Sequence, residues 1–126
     1  MNEQLKELIA RRASTMERIW AHYDHAREKH PYFCDDISLE IQEFDHVGFM
    51  LSDYRERIEH SMQRRCLAWT DLLGCETYEV LEALQKGDPA AAIAECYDAI
   101  AILLRVIDVV EGRQQLGKPK KKGVVK

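Results

Sequence analysis

Four acids have the spacing in this chain that could do chemistry: Glu76, Glu79, Glu95 and Asp98. They form two pairs, Glu76-x-x-Glu79 and Glu95-x-x-Asp98. Each pair is spaced i, i+3, so on a helix its two side chains share one face, one turn apart. Lys86-Gly87-Asp88-Pro89 lies between the pairs. Gly87 suits a helix C-terminus, Asp88 an N-cap, and Pro89 the first residue of the next helix. Residues 69–110 therefore read as an antiparallel helical hairpin that folds near Gly87 and organises the rest of the chain. Glu79 and Glu95 are equally far from Gly87, and so are Glu76 and Asp98. Both couples then sit at matching heights, and four carboxylates can converge on one small volume.

The helical wheel says which way they point, since each residue turns it by about 100°. Trp69, Glu76 and Ala83 share a heptad column flanked by Leu72, Leu73 and Val80, with Glu79 at its edge and Glu82 toward the polar side. On the second helix, Glu95 shares a column with Ile102 and Val109. Ala92, Ala99 and Val106 lie to one side of that column, Ala91, Asp98 and Arg105 to the other. The acids thus fall on faces that ought to be buried, where an unpaired carboxylate is costly. Several together raise one another's pKa unless a cation joins them. A hard divalent ion suits all-oxygen ligands, with Mg²⁺ the first choice and Mn²⁺ a substitute. Against this stands the ordinary solvated ExxE helix face. Two level pairs on two apolar stripes favour the metal site. Cys75, Tyr78 and Tyr97 read as packing residues.

Around these acids the chain reads Glu76-Thr77-Tyr78-Glu79-Val80-Leu81-Glu82-Ala83-Leu84, then Gly87-Asp88, then Glu95-Cys96-Tyr97-Asp98-Ala99-Ile100. This resembles the signature of the all-α nucleoside triphosphate pyrophosphohydrolases, the MazG-like superfamily: ExxE, a helix turn, then ExxD. The resemblance covers about a third of the chain, and Cys75 stands where many members carry a further Glu. It implies Mg²⁺ held by Glu76, Glu79, Glu95 and Asp98 as the catalytic set, and cleavage of a triphosphate to a nucleoside monophosphate and pyrophosphate. Such enzymes commonly assemble from pairs of hairpins, which agrees with a homodimer or homotetramer. They often place Lys, Arg or Asn beyond the ExxD helix to reach phosphate oxygens. The usual lysine-then-asparagine pattern is absent here. Arg105, one or two turns beyond Asp98 on the same side, is the better-placed clamp, with Lys118 in the tail a second candidate. Trp69 is a candidate to stack on a base at the mouth of the site.

The bulk composition fits this reading. The chain has 126 residues, enough for one domain with a real core. With 46% hydrophobic and 32% charged residues and three prolines, it favours helices. A formal net charge of −4 gives no global attraction for nucleic acid. The longest apolar runs, around residues 99–104, are too short to span a membrane. The N-terminal residues read as a polar amphipathic stretch and not as a signal peptide. Cys34, Cys66, Cys75 and Cys96 show no CxxC spacing. Three of them fall within predicted helices, and the set reads as reduced, buried thiols of a cytoplasmic protein.

The expected architecture is an all-α bundle of four or five helices built on the hairpin, oligomeric, with one domain over residues 1–115 and a basic tail over 116–126. Residues 2–29 show helical periodicity through Leu5, Leu8, Ile9, Met16, Ile19, Trp20 and Tyr23, ending before His30-Pro31. A second helical region runs from about Ser38 into the sixties, with Gly48 and Ser52-Asp53 as candidate breaks and Asp53 as a candidate N-cap. Whether residues 54–85 form one helix or two stays open. Residues 90–111 are apolar nearly all round, which asks for a central position or a partner. Tyr23, Tyr32, Phe33 and Trp69 read mostly as core. His22, His25, His30 and Cys34 could be read as zinc ligands, but their spacing is looser than that of structural zinc sites. The rival functions are a non-catalytic helical interaction protein, or a relative acting on another phosphoanhydride such as phosphoribosyl-ATP.

Overall fold

Every regular element that the periodicity predicts is a helix, and the computed structural model, which describes residues 2–31 and 45–116, contains helices alone among those residues. They are α1 (Glu3–Lys29), α2 (Val47–Gln63), α3 (Trp69–Gln85) and α4 (Pro89–Leu116). None of the described helices is long and apolar enough to cross a membrane. The chain divides into two compact units, Met1–Asp36 and Ile37–Lys126. The predicted residues Tyr32, Phe33, Cys34, Ser38 and Lys118 lie outside the described residues.

The first unit is α1. The Asn2 side chain accepts a hydrogen bond from the Leu5 N–H at 2.8 Å and closes its N-terminus. Arg27 and Lys29 occupy the last turn, where cations oppose the helix dipole. No α1 residue is buried, and Leu5, Ile9, Met16, Trp20 and Tyr23 keep their apolar stripe exposed. Tyr23, expected in a core, instead meets Trp20 edge-on at 5.3 Å and lies under the Arg27 guanidinium at 5.9 Å.

In the second unit α3 packs against both α2 and α4. Its centre is Val47, Leu51 and Cys75, with Tyr54, Ile58, Tyr78 and Leu81 packed around them. Leu51, at 1% exposed, is the most completely enclosed large side chain. α2 runs unbroken through Gly48 and Ser52-Asp53, so Asp53 is not an N-cap; it pairs with Arg57 at 2.7 Å. Arg57 also reaches Asp71 of α3 at 3.6 Å and covers the Tyr54 ring at 5.3 Å. Residues 54–85 form two helices, not one, because α2 stops at Gln63. The Cys66 N–H bonds back to the Ser61 carbonyl and the Arg65 N–H to Met62, with Arg65 at φ 57. This is the Schellman arrangement with arginine at the left-handed position usually held by glycine. Cys66 therefore lies outside any helix and is exposed, as is Cys96; of the described cysteines only Cys75 is buried.

At Gly74, α3 lies close against the Tyr54 ring of α2. A Cβ there would sit 2.5 Å from the Tyr54 ring, which is itself held by Tyr78 at 5.8 Å and by Arg57. Gly74→Ala is expected to lower stability, although alanine is the better helix former by about 1 kcal/mol. Overpacking of this kind costs about 1–3 kcal/mol, and the pinned ring places this site in the upper part of that range. Denaturant melts of the variant and the parent check it. An unchanged midpoint would mean that the ring moves aside freely.

Candidate functional site

The hairpin turn sets the level of the acids. At the end of α3 the Asp88 N–H bonds to Ala83 O at 2.9 Å and the Gly87 N–H to Leu84 O at 3.1 Å. Gly87 adopts φ +73, the left-handed conformation this closure needs. Asp88 then turns the chain into α4, its Oδ1 accepting from the Ala91 N–H at 3.1 Å, and Pro89 opens the helix. Ala83 and Ala92 are buried beside the turn, where small side chains let the two helices approach.

Three of the four predicted acids come together. One carboxylate oxygen from each of Glu76, Glu79 and Glu95 lies within 4.8 Å of the other two, and all three residues are partly buried. Glu76 is innermost. Its Oε2 is buried with no hydrogen-bond partner among the described residues. Its carboxyl is pushed up to about 8, first by burial, then by a hydrogen bond with the Glu95 carboxyl, then by the charges of Glu79, Glu95 and Asp98. Near neutral pH this favours the protonated form of Glu76, hydrogen-bonded to the Glu95 carboxyl. Asp98 stands apart from the trio in an exposed position, near enough for its charge to act on Glu76.

Glu79 is held from two sides. Its Oε1 accepts a hydrogen bond from the Cys75 thiol at 3.5 Å, and its Oε2 faces the Arg55 guanidinium of α2 at 3.6 Å. Burial, with the Glu79 charge second, raises the Cys75 thiol to about 11, so it stays a neutral donor. Glu82 points elsewhere and pairs with Lys86 at 3.7 Å.

The donor set fits a hard divalent cation. All three converging groups are carboxylate oxygens, the chemistry that such ions prefer. Glu76, Glu79 and Glu95 would be the residues to hold such an ion. The unpartnered Glu76 oxygen is a group that a cation would satisfy.

Trp69 and Arg105 also come together, away from the acids. They line a cleft of ≈ 360 Å³ with Leu72, Ile102, Val106 and Val109, between the start of α3 and the second half of α4. Trp69 is 47% exposed rather than core, and Tyr97, expected to pack, is 66% exposed. His22, His25 and His30 are exposed on α1 and at its end. Arg55 is the residue that sequence reading misses. Only the packing of α2 on α3 brings it to Glu79, and no local motif signals that.

A scan against protein-family models finds no match, and neither curated proteins nor solved structures yield one. The resemblance of the ExxE and ExxD pairs thus rests on the motif residues themselves.

Proposed function

We propose that the chain is a Mg²⁺-dependent nucleoside triphosphate pyrophosphohydrolase that converts a (d)NTP to the monophosphate and pyrophosphate. The observation that carries this reading is the convergence of Glu76, Glu79 and Glu95 around a buried, unpartnered carboxylate oxygen. Glu82, outside the cluster, pairs with Lys86 as a structural acid would, whereas the buried Glu76 Oε2 has no hydrogen-bond partner among the described residues. Glu76, Glu79 and Glu95 would hold the ion, with Asp98 the fourth acid of the set. When bound, the ion neutralises phosphate oxygens and makes a water molecule more acidic. Water attacks a phosphorus, the phosphoanhydride P–O bond breaks, and pyrophosphate departs. A carboxylate of the cluster takes the proton that the water loses. Arg55, 55% exposed and beside Glu79, is placed to move onto the phosphate oxygens and offset their charge. Tail residue Lys118 is a further candidate for that role.

The apolar surface favours self-association into a homodimer or homotetramer. Ile93, Tyr97, Ile100, Leu103 and Val110 are exposed along α4, a contiguous face of the kind that marks an interface. The same face supports the rival reading, a non-catalytic interaction protein, and one experiment separates the two. Purified protein is incubated with each NTP and dNTP and Mg²⁺, and pyrophosphate and monophosphate are measured. Turnover is expected in the parent and in Glu82→Ala, with a loss of about 10²–10³-fold in Glu79→Ala. No turnover on any substrate, with no Mg²⁺ binding by calorimetry, would leave the interaction protein standing. A Glu82→Ala as inactive as Glu79→Ala would show that the ligands are wrongly assigned.

A further inference from the structure

The cleft holding Trp69 and Arg105 continues the seam that carries the acids. Trp69 shares a heptad column with Glu76, and Ile102 and Val109 share one with Glu95. Seven residues separate Trp69 from Glu76, and seven separate Asp98 from Arg105, about 10 Å along either helix. A triphosphate lying on the acids with its nucleoside directed away from the Gly87 turn would carry its sugar and base toward this cleft. The cleft's volume of ≈ 360 Å³ falls within the range of small-molecule sites. Its lining is apolar apart from two groups with distinct chemistry. Trp69 offers a broad ring face for stacking. Arg105 offers a planar fork that donates two parallel hydrogen bonds and accepts none.

An adjacent pair of acceptors on a flat, stackable ring answers both. Guanine presents O6 and N7 side by side, a pattern that arginine reads with two hydrogen bonds. Adenine sets an amino donor against the guanidinium at the same place, and a pyrimidine leaves more of the apolar lining uncovered. We propose that this cleft is the base subsite and that it selects 6-oxopurine nucleotides, with Trp69 stacking on the ring and Arg105 bonded to O6 and N7. This rests on the pyrophosphohydrolase reading for its ligand class. It assigns Arg105 to the base edge, leaving phosphate contact to Arg55.

The test reads base binding without catalysis. The chain has two tryptophans, so in a Trp20→Phe background fluorescence reports Trp69 alone. GMP, AMP and UMP are titrated in EDTA into the full chain. GMP is expected to quench Trp69 with an affinity at least about tenfold above AMP and UMP. Arg105→Met should erase that preference while keeping a weak, base-independent quench. Glu82→Gln, which lies outside both the acidic trio and the cleft, should leave the GMP titration unchanged. Circular dichroism confirms that each variant is folded. Equal quenching by all three nucleotides, no quenching at all, or an Arg105→Met protein that still prefers GMP would each overturn the assignment. The two readings fail separately. GMP-selective quenching without triphosphate turnover would refute the hydrolase and keep the cleft, whereas turnover without quenching would do the reverse.

Discussion

Glu76→Gln is expected to stabilise the metal-free protein at pH 8.5 and to abolish pyrophosphate release. The Glu76 carboxyl holds its proton up to about 8 in the folded chain, against an ordinary value of 4.5. Between those values the folded state binds more protons than the unfolded state, so stability falls as pH rises through that window. The contribution is present in full below about 4.5 and gone above about 8. Glutamine never ionises, and its amide can donate to Glu95 as the protonated acid does, so the variant keeps that stability. One pKa unit corresponds to about 1.4 kcal/mol. The span from 4.5 to about 8 would cap the gain at roughly 5 kcal/mol, which solvent access to a partly exposed site reduces to about 2. For a chain of this size that is roughly 8 °C in melting temperature. Melts in EDTA at pH 4 and pH 8.5 decide it: the two proteins should coincide at the lower pH and separate at the higher. A variant that melts below the parent at pH 8.5 would mean that Glu76 is held by a favourable partner, contrary to the site described.

The second large effect is expected on metal affinity. If Glu76 must lose its proton to become a ligand, binding of Mg²⁺ or Mn²⁺ competes with that proton. Affinity should climb about tenfold per pH unit from pH 6 to 8 and level off above the Glu76 value, with about one proton released per ion at pH 7. Calorimetry in buffers of different ionisation enthalpy measures the released proton directly. In Glu76→Gln the pH dependence should vanish together with most of the affinity. Affinity that does not change across this window in the parent would remove Glu76 from the ligand set.

The sequence shows what depends on neighbours within a turn or two. Gly87, Asp88 and Pro89 announce the hairpin because each is the best residue for its own backbone position. The acids of the trio could be found because the wheel puts them on the stripe where α3 and α4 meet. The stop after α2 closes with the same hydrogen bonds as the stop after α3, yet the sequence leaves open whether residues 54–85 form one helix or two. There Arg65 takes the left-handed position, and arginine carries no turn signal. The contact of Arg55 with Glu79 is tertiary and invisible to periodicity. Asp98 sits one turn beyond Glu95 on the expected face, but near the rim of the seam, where a small rotation leaves it in solvent. Trp69 and Arg105 are each legible singly as candidate site residues. That they share one cleft follows from the hairpin register.

That register makes the chain between Glu79 and Glu95 a phase-locked ruler. The Gly87 closure joins two stiff rods, so adding or deleting a single residue on either arm advances everything beyond it by about 100° and 1.5 Å. Such a change would swing an acid from the seam to the outside of the hairpin while preserving every residue type and nearly all helical hydrogen bonds. Length in this stretch is therefore under a tighter constraint than composition. Substitutions that keep the helices can accumulate there, whereas a frame-preserving loss of one codon would disarm the centre at a stroke.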